Sequence, residues 1–199
     1  MNPDEAAQAW TRVHALIQTL LADVTSAVDS VNSSASQIVR RNFVRAMFAG
    51  IEGVTWALKQ SALLQHRTSQ VQFSAAEQSM LAELMPEPDD KGRVVERAAR
   101  LTLKRNLQFS FHAFARSEGV KFSLATGEKG WEEFQRSLAI RDRLTHPKDV
   151  DELLVSDEEL RTLDQASTWW TGQLGALLKA VMTSGLSKQR GAPFPPQAT

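Results

Sequence analysis

"RNFVRAMFAGIEGVTWALKQ", residues 41–60, shows most clearly which class of fold this chain adopts. Its apolar residues recur at steps of three and four, which is the period of an amphipathic α-helix. The positions on this face are Val44, Phe48, Ile51, Thr55 and Leu58. We therefore predict a long helix from about Ser36 to Gln65 whose inner face packs against a core.

The same period recurs along most of the chain. It predicts further helices from about Glu5 to Ser30, from about Val94 to Ser117, from Trp131 to Thr145, and after Ser156. Two capping boxes, Ser74 with Glu77 and Ser156 with Glu159, mark helix starts. We find no alternating β pattern. The sequence thus predicts an all-α fold, a single helical bundle of about five long helices plus short ones.

The totals fit one domain. The chain has 199 residues, of which 42% are hydrophobic, enough for one substantial core. We assign residues 1–184 to the helical domain. The segment "GLSKQRGAPFPPQAT", residues 185–199, is rich in Pro, Gly and polar residues and is expected to be disordered.

Charge and residue usage exclude several classes of function. The formal net charge is zero, so a bulk polyanion binder is not indicated, and the absence of cysteine excludes disulfides and thiolate metal sites. No histidine pair has helical metal-ligand spacing, so no metal or cofactor is expected. The N-terminus has no signal-peptide h-region, and no apolar run approaches a membrane span, so we expect a cytoplasmic protein.

"RDRLTHP", residues 141–147, has two interpretations. Cations in a last turn, followed by Pro, are typical of a capped helix end. However, Arg141 follows Phe134 by seven residues and Leu138 by three, so it continues the inward face of its helix. A cleft-facing arginine needs a partner. An Arg and a His that meet in a cleft could cleave RNA, because the His moves a proton and the Arg stabilises charge on the phosphate.

This motif resembles the signature of the HEPN superfamily, an arginine, a polar residue, three to five others and a histidine. Arg141, Asp142 and His146 fill these positions. Three longer stretches are similar to helices of bacterial HEPN proteins: "RNFVRAMFAGIEGVTWALKQ", "LKRNLQFSFHAFA" and "GWEEFQRSLAIRDRLTHPKDVDELLVSDEEL". The resemblance covers roughly residues 36–182.

The resemblance implies a helical bundle that forms a homodimer with one shared cleft. It implies a metal-independent endoribonuclease, a toxin or phage-defence effector that leaves a 2′,3′-cyclic phosphate, with an antitoxin protein as a possible partner. His146 would be the general acid/base, Arg141 the phosphate stabiliser, and Asp142 the residue that positions one of them. Other members keep the fold as non-catalytic modules that bind RNA, nucleotide or protein. Lys148 stands where some HEPN toxins carry a tyrosine that their partner modifies, so that form of neutralisation is not expected.

Further charged residues could support such a site. Arg45, Glu52 and Lys59 are spaced by sevens and share one stripe of their helix. Glu52 could orient Arg141 or Arg143, or could form only a local surface ion pair. Arg143 and Lys148 are expected to help hold RNA.

Other candidates have simpler explanations. Arg93, Arg97, Arg100 and Lys104 recur at helical steps, and a solvated face is the favoured interpretation of this basic stripe. Arg105 and His112 form a second Arg–His pair, for which a core or interface histidine is favoured. The five tryptophans are predicted to lie mostly in the core.

Overall fold

The computed structural model describes residues 3–68, 71–99 and 101–190. In these ranges the chain forms six α-helices, one two-stranded hairpin and a 3-10 turn, so the all-α prediction is confirmed. The elements are α1 (Pro3–Ser33), α2 (Gln37–Arg67), α3 (Ala75–Leu81), β1 (Leu84–Pro88), β2 (Val94–Ala98), α4 (Leu103–Ser117), α5 (Lys129–Thr145), the 3-10 turn Asp151–Leu153, and α6 (Asp157–Arg190).

Helix α2 is the centre of the bundle and packs against every other helix. It begins where the Ser36 hydroxyl accepts a hydrogen bond from the Val39 backbone N–H at 3.3 Å. All five positions of its predicted inner face are buried. Because α2 is covered on most sides, it fixes where the other helices lie.

Helices α1 and α2 form an antiparallel pair that depends on small residues in α2. A side chain at Gly50 would place its Cβ 2.7 Å from Val24, and one at Gly53 would overlap Leu20. The absence of a Cβ at these two positions lets the helices approach closely. Leu20 and Val24 therefore lie on the face of α1 that meets α2.

Helices α5 and α6 join through aromatic rings. Trp131 and Phe134 of α5 lie with their ring centroids 5.2 Å and 5.6 Å from the ring of Trp169 in α6. Gly130 lies at the same junction, where a Cβ would overlap the Cβ of Trp169. This contact anchors the first turn of α5, the helix that carries the "RDRLTHP" motif.

Helix α6 begins with the predicted capping box. The Ser156 backbone N–H donates to the Glu159 carboxylate at 2.9 Å, and the Glu159 N–H donates to the Ser156 hydroxyl at 3.1 Å. The helix continues to Arg190, into the segment expected to be disordered. The remainder of that segment, residues 191–199, lies outside the described residues.

The hairpin was not predicted, and the helix expected from about Val94 begins later. Thr102 caps α4, and its hydroxyl accepts from the Arg105 N–H, so the helix starts at Leu103. Both strands are mostly exposed on both faces and therefore show no alternating hydrophobic pattern. A turn signal was present, because Asp89 is followed three residues later by Gly92, which has a φ of 72°.

The basic stripe does not exist as a helical face. Arg93 lies in the hairpin turn and pairs with Asp89 at 2.7 Å, while Arg97 lies on β2. Lys104 belongs to α4, and Arg100 lies outside the described residues. These basic residues are spaced as on a helix, but about half of the segment that carries them is extended.

The close contact at Gly130 predicts that alanine destabilises the protein there, whereas alanine at the open position Gly172 stabilises it. Gly130→Ala should lower the free energy of unfolding by about 1–3 kcal/mol, because the Trp169 Cβ cannot move without its backbone. Gly172→Ala is the matched control in α6, where nothing lies within 4 Å of an added Cβ. It should raise that free energy by about 0.5–1 kcal/mol. Urea denaturation measures both; equal stability of the two variants would contradict the packing described.

Candidate functional site

A cleft of about 830 Å³ opens between α2, the start of α4 and the second half of α5. Its lining includes apolar side chains from all three helices and a group of polar ones. The polar or aromatic members are Glu52, Trp56, Glu83, Thr102, Asn106, Arg141 and Asp142. The cleft thus contains two of the three motif residues.

Arg141 projects from α5 into this cleft, with its side chain about one third exposed. Its Nη2 donates to the Glu52 carboxylate on α2, its Nη1 donates to Asp142 at 2.9 Å, and its guanidinium lies 5.9 Å from the ring centroid of Phe48. Burial lowers the pKa of Arg141, but the hydrogen bonds and charges of Asp142 and Glu52 outweigh it, so that pKa is raised. The guanidinium therefore stays charged.

Glu52 makes the contact that its position in the sequence predicts. It lies 89 residues before Arg141, so the pair joins two helices and is not a local pair within one helix. Asp142 holds the other edge of the same guanidinium. Their roles in catalysis remain predictions.

His146 ends α5 but does not line the cleft with Arg141. It is exposed, and its backbone N–H donates to the Asp142 carbonyl at 3.1 Å. Within the described chain its imidazole makes no hydrogen bond or ion pair. One chain therefore does not bring the Arg and the His of the motif into the same cleft.

The side chain of Arg143 makes hydrogen bonds within the fold. Its Nη1 donates to the carbonyl of Leu154 at 2.9 Å and to that of Glu152, and its Nη2 donates to the Glu159 carboxylate at 2.6 Å. These bonds hold the connector that follows His146 against the start of α6. The structure places Arg143 away from the Arg141 cleft, at a separate depression lined by the connector.

Lys148 and Arg45 also lie outside the cleft. Lys148 is exposed on the connector, where its backbone N–H donates to the Glu152 carboxylate at 2.8 Å. Arg45 is exposed on α2 and lies 3.4 Å from the Asn42 side-chain oxygen. The structure does not bring either side chain together with Arg141.

Lys59 is fully buried beneath the cleft. Its ammonium donates to Glu83 at 2.5 Å and to the Asn106 side-chain oxygen at 2.8 Å. A buried ammonium without partners would carry a large desolvation cost. Lys59 therefore supports the site from below, because it holds two residues that line the cleft.

Glu83 has a strained backbone, with a φ of 58°. A non-glycine residue in this region costs about 1–2 kcal/mol. The Met80 carbonyl accepts from its N–H at 3.2 Å, and its own carbonyl accepts from Ala99 at 2.8 Å. These bonds and the Lys59 pair keep the Glu83 carboxylate at the edge of the cleft.

Four polar or aromatic residues of the cleft were not predicted from the sequence: Trp56, Glu83, Thr102 and Asn106. Trp56 could have been found, because it follows Glu52 by four residues and so lies on the same stripe of α2. The other three reach the cleft only through the hairpin and the late start of α4, which no local pattern predicts.

Comparisons of the chain with models of protein families, with curated proteins and with solved structures find no match. Among the residues that the structure describes, no cluster of three or more His, Cys, Asp or Glu side chains could hold a metal ion. No helix in the same residues has the length and apolar character needed to cross a membrane.

The environment of Lys59 predicts a loss of stability when its charge is removed. Lys59→Met keeps the length of the side chain but leaves Glu83 and Asn106 without their partner. The free energy of unfolding should fall by on the order of 2 kcal/mol. Lys104→Met is the control, because Lys104 is exposed and makes one bond to Gln135; its effect should stay within about 0.5 kcal/mol. A Lys59→Met protein as stable as the control would disprove this role.

Proposed function

We propose that this chain is a metal-independent endoribonuclease of the HEPN type. In this reaction the ribose 2′-oxygen attacks the adjacent phosphorus, the bond to the 5′-oxygen breaks, and a 2′,3′-cyclic phosphate and a 5′-hydroxyl result. The observation that carries the proposal is the arginine that α2 and α5 together hold in the cleft, five residues before a solvent-exposed histidine.

Arg141 supplies the charge that the phosphate needs. Its guanidinium has five N–H donors, and the Glu52 and Asp142 carboxylates accept from two of its nitrogens. The remaining N–H groups can donate to phosphate oxygens as negative charge develops in the transition state. Glu52 and Asp142 are positioning residues in this scheme.

His146 supplies proton transfer. The imidazole is exposed and has no hydrogen-bond partner among the residues that the structure describes, so it can take the proton of the 2′-hydroxyl or give one to the leaving 5′-oxygen. Because His146 does not line the cleft of its own chain, a second chain could supply the histidine, as the resemblance implies. We therefore include a homodimer in the proposal, in which Arg141 of one chain and His146 of the other meet at the same RNA.

The biological setting follows from the resemblance alone. An endoribonuclease of this type would act in the cytoplasm as a toxin or a phage-defence effector, with RNA as substrate and an antitoxin protein as a second partner. Arg143 and Lys148 are not needed in the scheme, since neither lines the cleft.

A non-catalytic module that binds RNA, nucleotide or protein is the alternative. The separation of His146 from Arg141 within one chain favours it, because a binding site needs only the cleft. Absence of cleavage together with binding of RNA to the cleft would select this alternative.

The proposal predicts the effect of two substitutions. In EDTA, the purified protein should cleave total RNA or a tRNA pool and leave cyclic-phosphate ends. His146→Ala and Arg141→Ala should each reduce the rate by about 10²–10⁴-fold, since each removes one group of the reaction. Circular dichroism should show unchanged helical content.

His14→Ala is the matched control, because His14 is also an exposed histidine on a helix and lies outside the cleft. It should cleave as the native protein does. Cleavage that survives in both His146→Ala and Arg141→Ala would rule out the assignment.

A further inference from the structure

We propose that Trp56 is the platform on which an unpaired RNA base stacks beside Arg141, so that the substrate is single-stranded at the cleaved position. This inference rests on the proposed function and names its substrate class. It begins from Trp56, a large apolar side chain that lines the cleft and is partly exposed.

Trp56 differs from the other described tryptophans of the bundle core. Its exposure is 38%, whereas that of Trp131 is 6%, that of Trp169 is 7% and that of Trp170 is zero. A large apolar ring is normally buried where the fold allows it. On α2, Trp56 instead faces the cleft one helical turn after Glu52, the partner of Arg141.

The cleft offers a base both apolar surface and hydrogen bonds. Leu101, Leu103 and Leu138 line it together with the indole. Asn106 accepts a hydrogen bond from Lys59 with its side-chain oxygen, and its side-chain N–H groups can donate to a ligand. Glu83 uses one carboxylate oxygen for Lys59 and offers the other as an acceptor.

These groups fit a nucleobase better than they fit a phosphate. Among the described residues that line the cleft, three carry carboxylates, Glu52, Glu83 and Asp142, and Arg141 is the cation. A single cation can bind one phosphate, while the carboxylates disfavour a second one nearby. Affinity must then come from a neutral part of the RNA, and stacking of bases on aromatic side chains is the usual source in single-stranded recognition.

The geometry also excludes a paired base. Stacking on Trp56 inside a cleft requires that the base leave its own helix, because a base in a duplex has neighbours on both faces. An RNA loop, bulge or single strand provides such a base without the cost of unpairing. A duplex of the same sequence should therefore bind weakly.

The test measures binding of an RNA that cannot be cleaved. The probe is a fluorescein-labelled hexanucleotide with 2′-O-methyl ribose, and its dissociation constant is measured by fluorescence anisotropy. Trp56→Ala should weaken binding about five- to a hundredfold, as loss of one stacked base does. Trp56→Phe keeps a ring and should weaken binding less. Trp10→Ala is the control, since Trp10 lies on α1, away from the cleft.

A second probe separates stacking from a general loss of fold. A hexanucleotide with the same backbone and abasic sugars should bind the native protein and Trp56→Ala with equal, weak affinity. If Trp56→Ala binds the normal hexanucleotide as the native protein does, the inference is wrong. It is equally wrong if the substitution weakens the abasic probe by the same factor, because the indole would then act only on the fold.

The outcomes of this test and of the cleavage test are independent. Trp56-dependent binding without cleavage of natural RNA would retain the stacking site and remove the nuclease. Cleavage that depends on His146 together with normal binding by Trp56→Ala would retain the nuclease and remove the stacking site.

Discussion

The cleft depends on the buried ammonium of Lys59. Helix α2 lies at the centre of the bundle, and a lysine fully buried there must find partners, since an unpaired ammonium would destabilise the fold. It finds Glu83, whose backbone is strained, and Asn106 in the first turn of α4. These two bonds draw the hairpin and α4 to the same side of α2 and so form the floor of the cleft. The Glu52–Arg141 pair then ties α5 to this side of α2.

The charges of the cleft explain how a neutral protein could act on RNA. Among the described residues of the cleft, carboxylates outnumber cations, so a long phosphate backbone would gain little there. The arrangement instead favours one phosphate and one unpaired base. The two carboxylates on Arg141 weaken its attraction for bulk anions and fix the direction of its remaining N–H groups. In this account the protein gains selectivity for a particular RNA geometry and gives up affinity for RNA in general.

Structural features that depend on neighbouring residues could be predicted from the sequence, whereas those that depend on distant contacts could not. The inner face of α2 and the Ser156 capping box could be predicted because helical period and caps depend on neighbouring residues. The hairpin was not predicted because its strands bury neither face. The partners of Lys59 were not predicted either, because they lie 24 and 47 residues away along the chain. The Glu52–Arg141 contact was one of the alternatives that the sequence left open, since Arg141 continues the inward face of its helix and Glu52 lies on a charged stripe of α2. The position of His146 could not be predicted, because it follows the last turn of α5, where helical geometry no longer applies.

Arg141 and His146 do not line the same cleft within one chain. The central claim is therefore a composite site, built from Arg141 of one chain and His146 of the other. Its most direct test is activity of a heterodimer of Arg141→Ala and His146→Ala chains, co-expressed with different tags and purified through both. If each site is shared between the two chains, one of the two sites in this heterodimer has an intact Arg141 and an intact His146. The heterodimer should then recover about half of the native cleavage rate, although each parent homodimer is inactive. A heterodimer as inactive as its parents, beside a native protein that cleaves RNA, would contradict the account.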